Sequence, residues 1–296
     1  MSISDLSALP APDLIESLDY ETVLAEMLDR YQSQNSDFDA LLESDPIYKA
    51  FEVAAYFRVL DRQRVNEAAK AVMLALASGS DLDQIGARYD VERQVLTEAD
   101  DTTIPPTAAV YESDDDFRRR ILLAFEGLSV AGPEQAYISN ALSADATLAD
   151  ATAIMPSPGQ VQVTLLSLNG DGTADTDQIA NVQSALSAED VRPLTDEVLV
   201  QSAEIINYSI EATLYMEDGP EQEPILSAAN DALASYVESQ QRLGRNIRRS
   251  AIIAALSVSG VQYVDLTAPT DDLVLTKEQA SYCTAKTITN GGVDDS

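Results

Sequence analysis

Apolar positions keep helical spacing through the first part of the chain and give way to alternation further on. From Tyr20 to Gln34, the residues Val23, Leu24, Met27, Leu28 and Tyr31 recur along one side, which predicts a helix. A second helix starts cleanly: Asp45 is a capping residue type and Pro46 suits a first turn. No Gly or Pro interrupts it before about Ala77, a length of roughly 48 Å at the usual helical rise. Phe51, Ala55 and Val59 share one face of its first half. Val65, Ala69, Val72 and Leu76 follow at steps of four, three and four, which suits a coiled-coil seam or a bundle face. An ordinary core helix would carry the same pattern; the length favours a helix that reaches a partner. Gly79 is expected to cap its C-terminus, and Ser80 or Asp81 to open a short helix bearing Leu82, Ile85 and Tyr89.

Residues 94–113 are polar and acidic with Pro105-Pro106, and read as a linker. Helices are predicted over 114–126, from Gly132-Pro133-Glu134 to about Ser143, over 175–188, over 221–241 entered through Gly219-Pro220, and over 250–257. Strands are predicted at Thr152–Ile154, Val161–Leu165, Val198–Gln201, Ile205–Tyr215, Val261–Val264 and Ser281–Thr289. The segments 136–165 and 252–288 each give a helix, a strand, a Pro-containing connection and another strand. The fold class is therefore α+β and multidomain. An all-helical, bundle-forming N-terminal part (1–93) and the linker (94–113) precede two related α+β modules (114–201 and 202–296).

Composition narrows the chemistry. Across 296 residues the net charge is −32, which repels nucleic-acid phosphates and anionic membranes, so neither is an expected partner. The acidity fits a saline habitat or a basic partner. No histidine occurs, which removes the usual general base and metal ligand, and the single Cys283 excludes an internal disulfide framework. Cys283 reads as a small buried apolar residue on a strand. From Met1 to Tyr20 the chain carries Asp5, Asp13, Glu16 and Asp19 where a secretion signal would be basic and apolar. Asn169-Gly170-Asp171-Gly172 with Asp175 and Asp177 resembles a calcium loop only superficially; a turn capped by Asp175 or Thr176 is the expected structure. Arg242, Arg245, Arg248 and Arg249 form the one basic island. It reads either as a docking site for an acidic partner or another copy, or as neutralisation of a helix end. No cofactor and no catalytic residue is nominated.

Several segments together resemble the baseplate J-like family of contractile-tailed bacteriophages. They are Asp116-Phe117-Arg118-Arg119-Arg120-Ile121-Leu122-Leu123-Ala124, then Ser129-Val130-Ala131-Gly132-Pro133-Glu134-Gln135-Ala136-Tyr137, then Ala141 to Asp145. Pro158-Gly159-Gln160-Val161, Asp190-Val191-Arg192-Pro193-Leu194-Thr195-Asp196 and the stretch from Asp81 to Arg93 extend the likeness, in order, over nearly the whole chain beyond residue 20. The resemblance implies a structural virion protein of the tail baseplate, made in the host cytoplasm, and not an enzyme. It implies a dimer within each wedge, N-terminal helices that bundle with other wedge subunits, and C-terminal modules that link wedges into a ring. Hub and sheath-initiating proteins are further candidate neighbours. Phe51, Ala55, Val59, Val65, Ala69, Val72 and Leu76, with the four arginines of the island, are the expected interface residues. The rival readings are a carboxylate-dependent cell-wall hydrolase, for which no carboxylate pair stands out, and a host-binding adhesin.

Overall fold

The computed structural model describes residues 12–35, 42–127, 134–188, 191–193, 195–217 and 222–293. The Gly132-Pro133 and Gly219-Pro220 helix entries, residues 128–131, Asp190, Leu194 and residues 1–11 lie outside these. The protein is α+β and multidomain, with a mostly helical N-terminal part. It divides into two compact units: Met1–Arg93 with Ser113–Leu122, and Gln94–Glu112 with Leu123–Ser296.

In the first unit, α1 (Tyr20–Gln34) opens on Asp19, whose carboxylate accepts the Thr22 N–H at 2.8 Å. It packs on α2 (Pro46–Ala71) through Val23, Leu24 and Ala55, with Met27, Leu28, Phe51 and Val59 around them. Asn66, buried on α2, accepts from Glu16 N–H at 3.1 Å and donates to Glu16 O at 2.9 Å, which fixes the chain ahead of α1. Asp45 stands at the N-cap, but its carboxylate accepts from Leu42 N–H rather than from the helix. The helix ends at Ala71, short of the expected Ala77. Met73 N–H donates to Lys70 O and Ala77 N–H to Met73 O, so the backbone tightens into turns. Those turns carry Leu74 and Ala77 into a core with Leu82, Ile85, Phe117 and Ile121. Burial of these residues outweighs helix propensity.

Gly79 does not cap α2. It begins α3 (Gly79–Ala87) at φ 52°, a left-handed conformation open to glycine, and its N–H donates to Asp114 Oδ2 at 3.1 Å. On α4 (Asp114–Gly127), Phe117 lies beneath α3 so closely that a Cβ on Gly86 would meet its Cζ at 2.5 Å and Val91 O at 2.8 Å. Gly86→Ala is therefore expected to destabilise this unit by about 1–3 kcal/mol, read as a lower midpoint in denaturant; an unchanged midpoint would refute the close packing. Arg118 is buried beside Phe117, and its guanidinium donates to Leu74 O at 2.7 Å and Ala77 O at 2.8 Å. The arginine thus supplies the turns after α2 with the donors they lack.

In the second unit, the expected linker holds a ribbon of β1 (Val95–Thr97) antiparallel to β2 (Val110–Tyr111). Its base is closed by Gln94 N–H to Glu112 Oε1 (2.8 Å) and tied to the end of α5 (Glu134–Ala144) by Gln94 Nε2 to Ser143 O (3.2 Å). The first sheet runs β3 (Leu148–Ser157), β4 (Gln160–Ser167), β5 (Glu197–Ser202), with β4 antiparallel to β3 and parallel to β5. The crossover helix α6 (Thr176–Leu186) starts in a capping box between Asp175 and Gln178. Gln183 on α6 accepts from Val200 N–H (3.1 Å) and donates to Val198 O (2.9 Å), so it closes the outer edge of β5. Leu142, Val163, Leu165, Val182 and Leu186 belong to the core beneath.

Through Ala203 the chain passes from β5 into β6 (Glu204–Met216), the centre of the second sheet. There β7 (Val261–Ala268) pairs antiparallel and β8 (Gln279–Val293) parallel to β6, while α7 (Gln222–Gln240) and α8 (Arg249–Leu256) cover it over Ile210, Leu214, Leu233 and Ile252. Both sheets thus flank a central strand with one antiparallel and one parallel neighbour. The chain order differs. β3 and β4 are direct neighbours, whereas β6 separates β7 from β8. The segment between β7 and β8 is itself engaged, with Ile247 and Leu273 exchanging backbone hydrogen bonds at 3.0 and 2.9 Å, and makes no tight hairpin.

Candidate partner interface

The α1–α2 hairpin is apolar on two sides of α2. One side, with Phe51, Ala55 and Val59, is occupied by α1, and the Tyr31 and Phe51 rings meet at a tilt of 60° with centroids 5.2 Å apart. These expected interface residues therefore pack within the chain. Away from them, Val53, Tyr56, Phe57 and Leu60 recur at steps of three and four, and all four are exposed, Val53 at 58% and Phe57 at 59%. Tyr56 and Phe57 meet edge-on at 5.7 Å. Four large apolar side chains within about two helical turns form a contiguous patch of the kind that marks an association site. The sequence held a signal for it: an apolar stripe outside the one that α1 covers, with two aromatics.

The seam expected from Val65, Ala69, Val72 and Leu76 is not carried on one continuous helix, because α2 stops at Ala71. Val65 and Val72 are exposed, while Ala69 and Leu76 are half-buried. The basic island is tied into its own unit. Arg242 donates to Ala149 O, Arg245 to Ser239 O at 2.8 Å, and Arg249 to Leu266 O at 2.8 Å and to Pro269 O. Arg248 pairs with Asp272 at 2.9 Å. Arg249 heads α8 and Arg242 follows α7, so a helix C-terminus accounts for one end of the island only.

Ion pairs also brace α4. Arg93 holds Asp83 at 2.8 Å and Asp114 at 2.7 Å, and its guanidinium sits 4.7 Å from the Phe117 ring centroid. Burial pushes the Asp114 carboxyl up, but the Gly79 N–H and Arg93 outweigh it and hold Asp114 below the ordinary carboxylate range. A depressed folded-state value stabilises the fold above the unfolded carboxylate range, and that contribution disappears as pH falls through the folded value. Wild type should therefore lose more stability than Asp114→Asn between about pH 5 and pH 3. Parallel losses in a denaturant titration would show that Asp114 contributes no such linkage.

For the hydrolase reading, the second unit offers a cleft of about 350 Å³ lined by Glu134, Tyr137, Met155, Asp196 and Lys277. Both of its carboxylates are engaged: Glu134 with Lys277 at 2.7 Å, and Asp196 as acceptor from the Tyr137 hydroxyl at 2.8 Å. At the suspected calcium loop, Asp171 accepts from Thr173 N–H and Asp175 caps α6. Among the described residues no cluster of three or more metal-ligating side chains occurs, and no helix is long and apolar enough to cross a membrane.

The protein thus has a mostly helical part with an exposed apolar stripe, followed by two small mixed sheets. Three family models match along the chain: the baseplate J-like N-terminal domain over residues 43–100, the baseplate J-like central domain over 129–202 and the baseplate J-like C-terminal domain over 208–289. The chain is 52% identical to baseplate protein J of Escherichia phage P2 over 302 aligned residues, covering 100% of both proteins. It belongs to the baseplate J-like family. The cryo-EM structure of the anti-feeding prophage baseplate, 6-fold symmetrised, aligns at 12% identity over 62% of this chain and 43% of that one, with a TM-score of 0.42. So loose a likeness bears on neither fold nor partners.

Proposed function

We propose that the protein is a structural component of a contractile phage-tail baseplate, acting by assembly and not by catalysis. Its α1–α2 hairpin bundles with helices of other wedge subunits. Its sheet-bearing second unit links adjacent wedges into a ring around the hub, with another copy of the chain as one neighbour. The observation that carries this reading is the exposed stripe Val53, Tyr56, Phe57 and Leu60, on a helix whose Ala55 side is already filled by α1. Burying each such side chain is worth about 1.5–3 kcal/mol, and no described residue of this chain buries any of the four. Membership of the baseplate J-like family supports the same reading.

The test is co-expression with the products of the neighbouring reading frames, with complex mass read by light scattering. Wild type is expected to form a complex of defined mass. A Phe57→Asp/Leu60→Asp double variant is expected to lose it while keeping its helical circular dichroism, because both positions are exposed in the free chain. An unchanged complex would overturn the bundling reading.

A further inference from the structure

The hairpin carries a second unfilled surface beside the stripe, a groove of about 550 Å³ between α1 and α2. Its floor is apolar, made by Val23, Met27 and Tyr31 from α1 and by Phe51 and Ala54 from α2. Its rim is basic: Arg30, Arg58 and Arg62 stand against one acid, Glu26. That charge is opposite in sign to the −32 of the whole chain. Arg62 is held by Glu16 at 2.7 Å. Arg30 and Arg58 are exposed and make no ion pair among the described residues. In the same chain Arg93, Arg118, Arg242, Arg248 and Arg249 are all tied to carbonyls or carboxylates of their own unit. Arg58 also lies in the field of Glu16, but two exposed guanidinium groups outside any ion pair, over an apolar floor in a protein with such an excess of acid, make a surface complementary to an anionic amphipathic element.

The groove follows α1 from Val23 to Gln34, roughly three turns or about 16 Å, the length over which one packed helix contacts another. We propose that this groove receives a helix from a different protein, apolar on the face that enters and carrying carboxylates about one turn apart along its flank. The carboxylates meet Arg30 and Arg58, whose planar guanidinium groups suit bidentate pairing. A different chain fits better than a second copy, because two copies of net charge −32 repel each other over the screening length. The inference rests on the bundling reading and deepens it, by naming the chemistry of one incoming helix.

The probes are two synthetic 18-residue peptides with the same leucine seam at helical spacing, one flanked by Glu and one by Gln. Binding to the full chain is read by fluorescence anisotropy. The Glu-flanked peptide is expected to bind about tenfold tighter than the Gln-flanked one at low salt, against the repulsion of the whole chain, with the gap closing near 1 M salt. In an Arg30→Glu/Arg58→Glu variant the order should reverse. Both positions are exposed, so circular dichroism should not change. Equal binding of the two peptides, or an order unaffected by the double reversal, would overturn the proposal. So would a gain in peptide affinity on deleting residues 1–11, which would make the chain's own N-terminal segment the occupant. So would a mass that falls from dimer to monomer in the double variant, which would make a second copy the occupant. If Phe57→Asp/Leu60→Asp breaks the complex while the peptides fail to discriminate, the groove inference falls and the bundling reading stands. If the peptides discriminate while that complex survives, the groove is the surface that bundles and the Val53–Leu60 stripe is not.

Discussion

Phe117→Ala is expected to cost the first unit about 3–5 kcal/mol, most or all of the stability a small unit has. The ring is fully buried and supplies the largest side chain in a core whose other members are Ala77, Leu82, Ile85 and Ile121. The glycine above it leaves no side chain that could move into the void, and the backbone of Val91 closes the same spot. Arg93 would lose the aromatic face it covers, although its bonds to Asp83 and Asp114 would remain. Amide hydrogen exchange should show it: rates in α3 and in the first turns of α4 rise steeply, while the amides of β6 keep their protection. Unchanged exchange in α3 would mean that the ring is not the keystone of that core.

Asp150→Ala should be nearly as damaging, at about 2–4 kcal/mol from two buried donors left without acceptors. Asp150 is a buried carboxylate on β3. One of its oxygens accepts from Ala151 N–H at 2.8 Å, and the other from Leu243 N–H at 3.1 Å. The second bond joins the first sheet to the loop after α7, where Arg242 also donates to Ala149 O. Leu243 packs with Leu166, Ala203 and Ala280 in the small cluster where β5 passes into β6. Asp150→Asn keeps one acceptor oxygen and should cost clearly less than the alanine. Equal losses for the two variants, measured by urea unfolding, would place the effect in packing instead of in hydrogen bonding.

These two residues also mark what could be read without the fold. Phe117 stands in a recognisable Asp-Phe-Arg-Arg-Arg run, but neither its partner Gly86 nor the role of Arg118 follows from that run. Asp150 is one of 50 acids, and nothing local separates it from the others. The face bearing Phe51, Ala55 and Val59 is met by α1, because a helix of the same chain reaches an apolar face at lower entropic cost than a separate chain does, while Phe51 also borders the open groove beside it.

Local physics was enough for much of the protein. The 3.6-residue spacing of Val23 to Tyr31, the Asp175 capping box and the alternation along 205–215 each depend on neighbours within a few residues. The sequence alone therefore determined most helices, most strands, the α+β class and the family. Tertiary structure decided whatever required distant residues to meet. It ended α2 at Ala71, so that Leu74 and Ala77 could reach Phe117. It set β6 between β7 and β8, and it turned the arginines of the island onto carbonyls of their own unit. It also decided which apolar face of α2 would be covered and which left open. A residue's spacing records what its own helix or strand requires, whereas burial depends on what the rest of the chain brings to that face.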